Sequence, residues 1–424
     1  MRVAIVTHSS TFESRAEAVA RFFEDRGDTV TRIFSDFDHH AKATVSRSLP
    51  DHVFLHLRPF RRNLSVRRMT SIRRFAKDAG AWIDARMQGS EPFDLLWFLL
   101  PANSFAPVAD DLHRRYDVPV VFDIIDLWPE SLPVRGLSWT PPVRMWRSLR
   151  DRHLGCACQI FTECDRYREV LDLPEDRTTT LYWYKSTDGI DPQPVPAIDL
   201  GSAGSGAARP GDVASDVAPP TGLRADAAWR DMSDGTPLRI AYLGAVNNII
   251  DIPLIADLLG AMARRHPLEL HVIGAGEHLD DFVAAVRSRS VPVVSHGAIY
   301  DERTKNAILG DCAYGINIMK PTVTVGLSMK SIDYLYCGLP LLNTIGGDTW
   351  NLVESQGIGV NVDRDDVPDA ADFAIAEALN PVSAPSMHES AYACYRELFT
   401  QERFRAVLAD AMERHIGIPA RAQA

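Results

Sequence analysis

No stretch of the 424 residues approaches the roughly 18 consecutive apolar residues that a membrane-crossing helix requires, so no span is expected. Cations are in deficit: 45 Lys and Arg stand against 56 Asp and Glu, a formal charge of -11. General nucleic-acid binding rests on neutralising phosphates with a cationic surplus, so nucleic acid is not an expected partner and any basic site must be local. Cysteine is scarce and scattered, at 156, 158, 164, 312, 337 and 394. The pair in Cys156-Ala157-Cys158 is too tight for the usual zinc or redox motif, and reduced thiols in a cytoplasmic protein are the simplest reading. A signal-peptide pattern is missing as well, because Met1-Arg2-Val3-Ala4-Ile5-Val6 already reads as a first strand. A complete G-x-G-x-x-G and any Walker sequence are absent: after Gly274-Ala275-Gly276 the last glycine position is Leu279, which weakens dehydrogenase and P-loop readings.

What is present is an ordinary globular composition, 46% hydrophobic and 24% charged, in a chain too long for one core; two domains are expected. Val3 to Val6, Thr29 to Phe34, Val53 to Leu57, Leu95 to Leu100, Val118 to Ile124, Ile160 to Thr162 and Thr179 to Tyr182 read as strands, with helical periodicity between them. Such alternation implies parallel sheets covered on both faces, with ligands beyond the carboxyl ends of the strands. Residues 193–235, rich in Gly, Ser, Ala and Pro, read as a disordered insertion or linker between a domain over 1–192 and another over 236–386.

In the first half, Thr7-His8-Ser9-Ser10-Thr11 is either a helix-capping run or a ligand loop. Arg58, Arg61 and Arg62, with Phe60 and Leu64 among them and Arg67 to Lys77 following, form the one dense basic run. It suits a solvated helix face, an anionic membrane surface or a diphosphate-bearing acceptor. In Phe122-Asp123-Ile124-Ile125-Asp126-Leu127-Trp128-Pro129-Glu130-Ser131, Asp126 and Glu130 fall beyond a strand; Asp126 could take a proton from a sugar hydroxyl, or both carboxylates could only form a turn.

In the second half, Leu238 to Ala245 runs as a strand into a turn at Gly244, where Asn247 and Asn248 could supply donors. Gly274, the turn His296-Gly297-Ala298-Ile299-Tyr300, and Gly346 follow later strands. Ser328, Gly338 and Pro340 mark the start, left-handed end and stop of a helix over Met329 to Cys337. Lys330 and Asp333 share a face of it. A cation at a helix start is unfavourable unless an anion sits there too, which suggests a diphosphate at Lys330 and a ribose at Asp333; an exposed charge pair is the plain alternative.

Asp123 to Ser131 resembles a D-x-x-D-x-W-P-E-S signature, and Ser328 to Leu341 resembles (P/S)-x-K-x-x-(E/D)-Y-(L/M)-x-x-G-x-P-(V/L). Both are similar to motifs of bacterial nucleotide-sugar glycosyltransferases of the capsular and exopolysaccharide type, family-4-like. The resemblance implies an α/β GT-B fold, two Rossmann-like doubly wound parallel-sheet domains facing a cleft, with helices over 387–424 packing partly back on the first. It implies a nucleotide-diphosphate sugar as substrate, with no cofactor, no metal and retention of configuration. The donor would meet Gly244, Ala245, Asn247, Gly274, Ile299, Ser328, Lys330 and Asp333. A saccharide or polyprenyl-diphosphate-linked acceptor would meet His8, Arg58, Arg61 and Glu130, with Asp126 and Lys330 as catalytic groups and peripheral membrane contact through Arg58 to Lys77, on the inner face of the plasma membrane. Two departures stand out: Val325 occupies the place of the first acid of a Glu-x7-Glu pair, and Asn247 and Asn248 lie where relatives carry a basic pair.

Overall fold

The computed structural model describes residues 1–39, 41–60, 65–131, 139–185 and 236–417. Arg61, Arg62 and the 193–235 insertion lie outside the described residues. The chain divides into two compact units, Met1–Trp183 with Pro321–Gly326 and Glu402–Ala424, and Tyr184–Lys320 with Leu327–Gln401.

The first unit runs β1 (Arg2–Val6), α1 (Glu13–Glu24), β2 (Thr29–Ser35), a small antiparallel pair β3 (Phe37–Asp38) and β4 (Ala43–Thr44), β5 (His52–Leu55), α2 (Val66–Met87), β6 (Leu95–Leu100), α3 (Phe105–Tyr116), β7 (Val120–Ile124), α4 (Pro141–Asp151), β8 (Gln159–Thr162), α5 (Asp165–Leu171) and β9 (Thr178–Thr180). Seven strands pair in parallel in the order β5-β2-β1-β6-β7-β8-β9. Every residue of β6 is buried, as an unbroken apolar run must be when helices cover both sheet faces. Asp123 is also buried, inside β7, and its carboxylate takes two bonds from the buried Arg15 at 2.9 and 3.0 Å, so the charge inside the core is matched.

The second unit runs β10 (Leu238–Leu243), α6 (Ile252–Ala263), β11 (Leu268–Ile273), α7 (Leu279–Arg287), β12 (Val293–Gly297), α8 (Glu302–Gly310), β13 (Tyr314–Asn317), α9 (Met329–Tyr336), β14 (Leu341–Asn343), α10 (Asp348–Gln356), β15 (Gly359–Asn361), α11 (Val367–Leu379) and α12 (Ser383–Leu398). Its six strands are parallel in the order β12-β11-β10-β13-β14-β15. Both sheets are therefore Rossmann-like, each with a strand order that reverses beside its first strand, at β1/β6 and β10/β13. Such reversals leave a crevice at the carboxyl ends of the strands, where this architecture binds ligands.

Of the C-terminal helices, α12 belongs to the second unit, with the Tyr395 ring 5.1 Å from Tyr336. The following α13 (Gln401–Ile416) groups with the first from Glu402 onward. There Phe404 lies 5.2 Å from the Arg15 guanidinium and Arg405 pairs with Asp25 at 2.7 Å. Helix α12 packs instead on α9 and α11.

Candidate functional site

In the second unit the turns after β10, β11 and β12 interlock through their backbones. Gly244 N donates to Ile273 O at 2.9 Å, Val246 N to Ala275 O at 2.9 Å, and Gly274 N to Gly297 O at 2.8 Å. Gly244 has φ +109 and open space where a side chain would stand, whereas a Cβ on Gly274 would fall 2.0 Å from the Gly244 carbonyl oxygen. One glycine leaves room above the strand end; the other permits the turns to pack. Ala245 is exposed, and its carbonyl accepts the Tyr242 hydroxyl at 2.9 Å. The Asn247 side chain accepts the Ile249 amide at 3.1 Å and so shapes the turn. Ile299 is half-buried in the loop after β12.

The β10/β13 crevice is wedged by Tyr334. Strand pairing stops at Ala241 and Gly315, and beyond it the buried Tyr334 hydroxyl accepts the Leu243 amide at 2.7 Å and donates to Ile316 O at 3.4 Å. Gly315 makes this possible, since a Cβ there would lie 2.6 Å from the Tyr334 ring.

Helix α9 starts at this crevice. Ser328 caps it, accepting the Ser331 amide at 3.3 Å, and Gly338 ends it with φ +64, the left-handed end expected from the sequence. Ser328 is itself held by a row of amides at the ends of three strands. Its hydroxyl donates to Asn317 Oδ1 at 2.8 Å; Asn317 Nδ2 donates to Asn343 Oδ1 at 2.9 Å; Asn343 Nδ2 donates to Asn361 Oδ1 at 2.8 Å. The three asparagines are in register across β13, β14 and β15. Sequence reasoning missed this row, because each Asn alone reads as an ordinary strand terminator.

Lys330 and Asp333 do not pair. The half-buried Lys330 ammonium lies 4.7 Å from the centre of the Tyr242 ring, with no ion pair among the described residues, and burial pushes its pKa down to about 7. Asp333 instead accepts from Lys185 at 2.6 Å and Lys305 at 3.2 Å. Both lysines also reach Glu302, each at 2.5 Å, closing a four-residue charge cluster. The attraction of these carboxylates outweighs burial and raises the Lys185 pKa, while the two lysines lower that of Glu302 despite its burial. Pairing partners 148 and 28 residues away carry no local signal.

In the first unit, the strand ends carry a second group. Asp126, beyond β7, is half-buried, and its two oxygens accept Trp128 Nε1 at 2.7 Å and Ser131 Oγ at 2.6 Å; burial raises its pKa against these bonds. Glu163, beyond β8, is a residue the sequence did not flag. Burial pushes its pKa up to about 8, partly offset by Arg15 and reinforced by the nearby Asp126 and Asp123 carboxylates, with a hydrogen bond from Trp183. Arg68, on α2, stacks 4.3 Å from the centre of the Trp128 ring, and burial lowers its pKa while Asp126 draws it up.

Among the expected acceptor residues, His8 is enclosed, Glu130 is paired and Arg58 is open to solvent. His8 is fully buried, edge-on to His39, Phe105 and Trp128, with neither ring nitrogen hydrogen-bonded, and burial drives its pKa down. Glu130 pairs with Arg150 at 2.9 Å and Arg147 at 2.8 Å, which fits a brace better than an open carboxylate. Phe60 is buried against Phe37, 4.8 Å between ring centres, so it offers nothing to a membrane. Arg58 is exposed, and its carbonyl accepts Ser71 Oγ at 2.7 Å.

No family model and none of the curated proteins matches the sequence. Solved structures do match. Sucrose-phosphate synthase from Thermosynechococcus elongatus superposes with a TM-score of 0.66 at 11% identity, over 98% of this chain and 99% of that one. Anabaena HepE, solved in complex with UDP and glucose, gives 0.59 at 11% over 97% and 99%. WaaG, a glycosyltransferase involved in lipopolysaccharide biosynthesis, gives 0.57 at 10% over 97% and 99%. At such identities the likeness is one of fold, and the fold is GT-B, the pair of Rossmann-like domains these glycosyltransferases share.

Proposed function

We propose that the chain is a glycosyltransferase that moves a sugar from a nucleotide-diphosphate donor to a saccharide or lipid-linked saccharide acceptor in surface polysaccharide synthesis. The observation that carries this reading is Lys330. A half-buried cation, with no carboxylate partner among the described residues, stands at the start of α9 over the ring of Tyr242, in the strand that runs into the open turn at Gly244. Burying a charge unpaired is costly, and an arriving diphosphate would relieve that cost. HepE, of the same fold, binds UDP, which supports a nucleoside diphosphate as the anion.

In this reading the diphosphate lies against Lys330 and the first amides of α9, and the sugar lies toward Gly244. As the bond from the anomeric carbon to the phosphate oxygen breaks, negative charge grows on the leaving phosphate, where Lys330 stabilises it without a resident metal. With retention, the acceptor proton passes to the leaving phosphate, and Asp126 positions the hydroxyl. The acceptor face of the first unit also suits a peripheral contact with the inner face of the plasma membrane. Exposed Val66 and Met69 on α2, and Trp139 and Met145 at α4, share those segments with exposed Arg67, Arg73, Lys77 and Arg144. Trp128 links the two helices, under Arg68 and 6.1 Å from Trp146. Exposed apolar side chains interspersed along these helices with exposed cations suit an anionic leaflet.

The test is a panel of nucleotide sugars read by thermal shift and by transfer to a lipid-linked acceptor, with wild type and Lys330→Ala. A donor should stabilise the wild type and lose at least about tenfold in affinity in the variant; stabilisation that survives the change would remove the site. A second reading is a non-catalytic GT-B partner that binds nucleotide sugar or stabilises another transferase. It is favoured by Val325 in place of the first acid and by the engagement of Asp333 with two lysines. Donor binding with neither transfer nor hydrolysis would select it.

A further inference from the structure

Away from Lys330 and the α9 start, β11 and β12 bring two histidines together. His271 Nδ1 and His296 Nε2 are 3.0 Å apart, with the rings nearly parallel, 21° between planes and 5.2 Å between centres. On its other nitrogen, His271 Nε2 meets Glu269 Oε1 at 2.7 Å. His271 is mostly buried, whereas His296, on the edge strand β12, and Glu269, on β11, are half-exposed. The register slips here: Val272 pairs with Ser295 and Ile273 with Gly297, so His296 is the extra residue of a bulge. Bulges of this kind re-aim a side chain that regular pairing would fix elsewhere.

The hydrogen bonds define the tautomers. Glu269 accepts from Nε2 of His271, which leaves its Nδ1 lone pair facing His296. The same three groups meet the requirements of a metal chelate. Two imidazole nitrogens bound at about 2.0–2.1 Å in a tetrahedral site stand roughly 3.3 Å apart, a few tenths of an ångström from the present separation. A carboxylate on the far nitrogen of a ligating histidine is the usual outer partner, fixing tautomer and ring orientation.

We propose that His271 Nδ1 and His296 Nε2 form a two-histidine site for a divalent transition-metal ion of the Zn2+ class, oriented by Glu269. For the ion to enter, the proton between the two rings moves from His296 Nε2 to its Nδ1, so both inner nitrogens present lone pairs and no net proton is released. Among the described residues no group of three or more His, Cys, Asp or Glu side chains could enclose a metal, so water at the sheet edge fills the other positions. The ion would tie the edge strand to β11 just before the loop that carries Ile299. This site stands independently of the proposed transferase reaction, and of any metal requirement in it.

The experiment is calorimetric titration of the metal-free full-length chain with ZnCl2, alongside His296→Gln and Glu269→Gln, with circular dichroism on each. The expected result is one equivalent bound by the wild type, lost in His296→Gln, and weakened about 10- to 100-fold in Glu269→Gln, the usual loss when an outer partner is removed. Absence of uptake by the wild type, or uptake unchanged in His296→Gln, overturns the site, the latter because other histidines would then be responsible. If His296→Gln fails to fold, Glu269→Gln decides, since it keeps both imidazoles: unchanged affinity there overturns the proposal.

Discussion

The Lys330 ammonium rests on the face of Tyr242, a ring that is itself buried against Phe282. Its pKa of about 7 lies well below the ordinary lysine value near 10.4, so between those limits the folded chain holds fewer protons here than the unfolded chain. The contribution of this group to stability accordingly rises with pH across that window and is flat below it. An anion bound at the ammonium favours its charged form. Binding of UDP or a related diphosphate near pH 8 should therefore take up close to one proton, measured by calorimetry in buffers of different ionisation enthalpy, and Lys330→Met should abolish the uptake.

Gly274 and Gly244 predict unequal costs. At Gly244 the space is free and only the positive φ resists a side chain, so Gly244→Ala should cost about 1–3 kcal/mol of stability. At Gly274 a methyl would strike the Gly244 carbonyl, and Gly274→Ala should cost about 3 kcal/mol or more, because the clash is with backbone. Urea denaturation of the two variants decides; equal midpoints would show that the turns yield.

Asn343 is satisfied on both ends of its amide: Nδ2 reaches Asn361 and Ile345 O, and Oδ1 accepts from Asn317 and the Ile345 amide. Asn343→Leu would leave the buried Asn317 amide nitrogen without its acceptor and remove the donor to Oδ1 of the half-buried Asn361. The expected loss is about 2–4 kcal/mol in chemical unfolding, on the scale of leaving buried polar groups unmade. Donor affinity should fall with it, because Ser328 at the start of α9 hangs from the same row.

Glu163 supplies a pH signature. Its folded pKa of about 8 exceeds the ordinary glutamate value near 4.3, so over that interval the folded chain keeps a proton that the unfolded chain gives up. Stability owed to this group is intact below about pH 4 and declines as pH rises toward 8. Thermal unfolding of Glu163→Gln, which cannot ionise, should gain on the wild type across that range; parallel profiles would place the Glu163 proton elsewhere.

Much of the fold was legible because long apolar runs leave little choice. Leu95 to Leu100 and Leu268 to Ile273 were found at the expected residues, and α9 ends within one residue of the expected place because Ser328 and Gly338 are strong punctuation. The pair Phe37–Asp38 and Ala43–Thr44, and β15 over Gly359–Asn361, are too short to show a period. Site residues were less legible for a different reason. Lys330 announced itself by being in the wrong place on a helix, but Lys185, Lys305 and Glu163 are unremarkable until folding brings residues distant in sequence together.

The row from Ser328 through Asn317 and Asn343 to Asn361 is made of neutral groups alone. A carboxylate could cap the same helix and anchor as firmly, yet it would set a negative charge next to the place proposed for two phosphates. Amides and a hydroxyl give rigidity that is electrostatically silent. The scaffold can thus be stiffened or loosened by substitution along three strands without altering the charge that an incoming donor meets, which leaves Lys330 to set that charge and the asparagines to set its position.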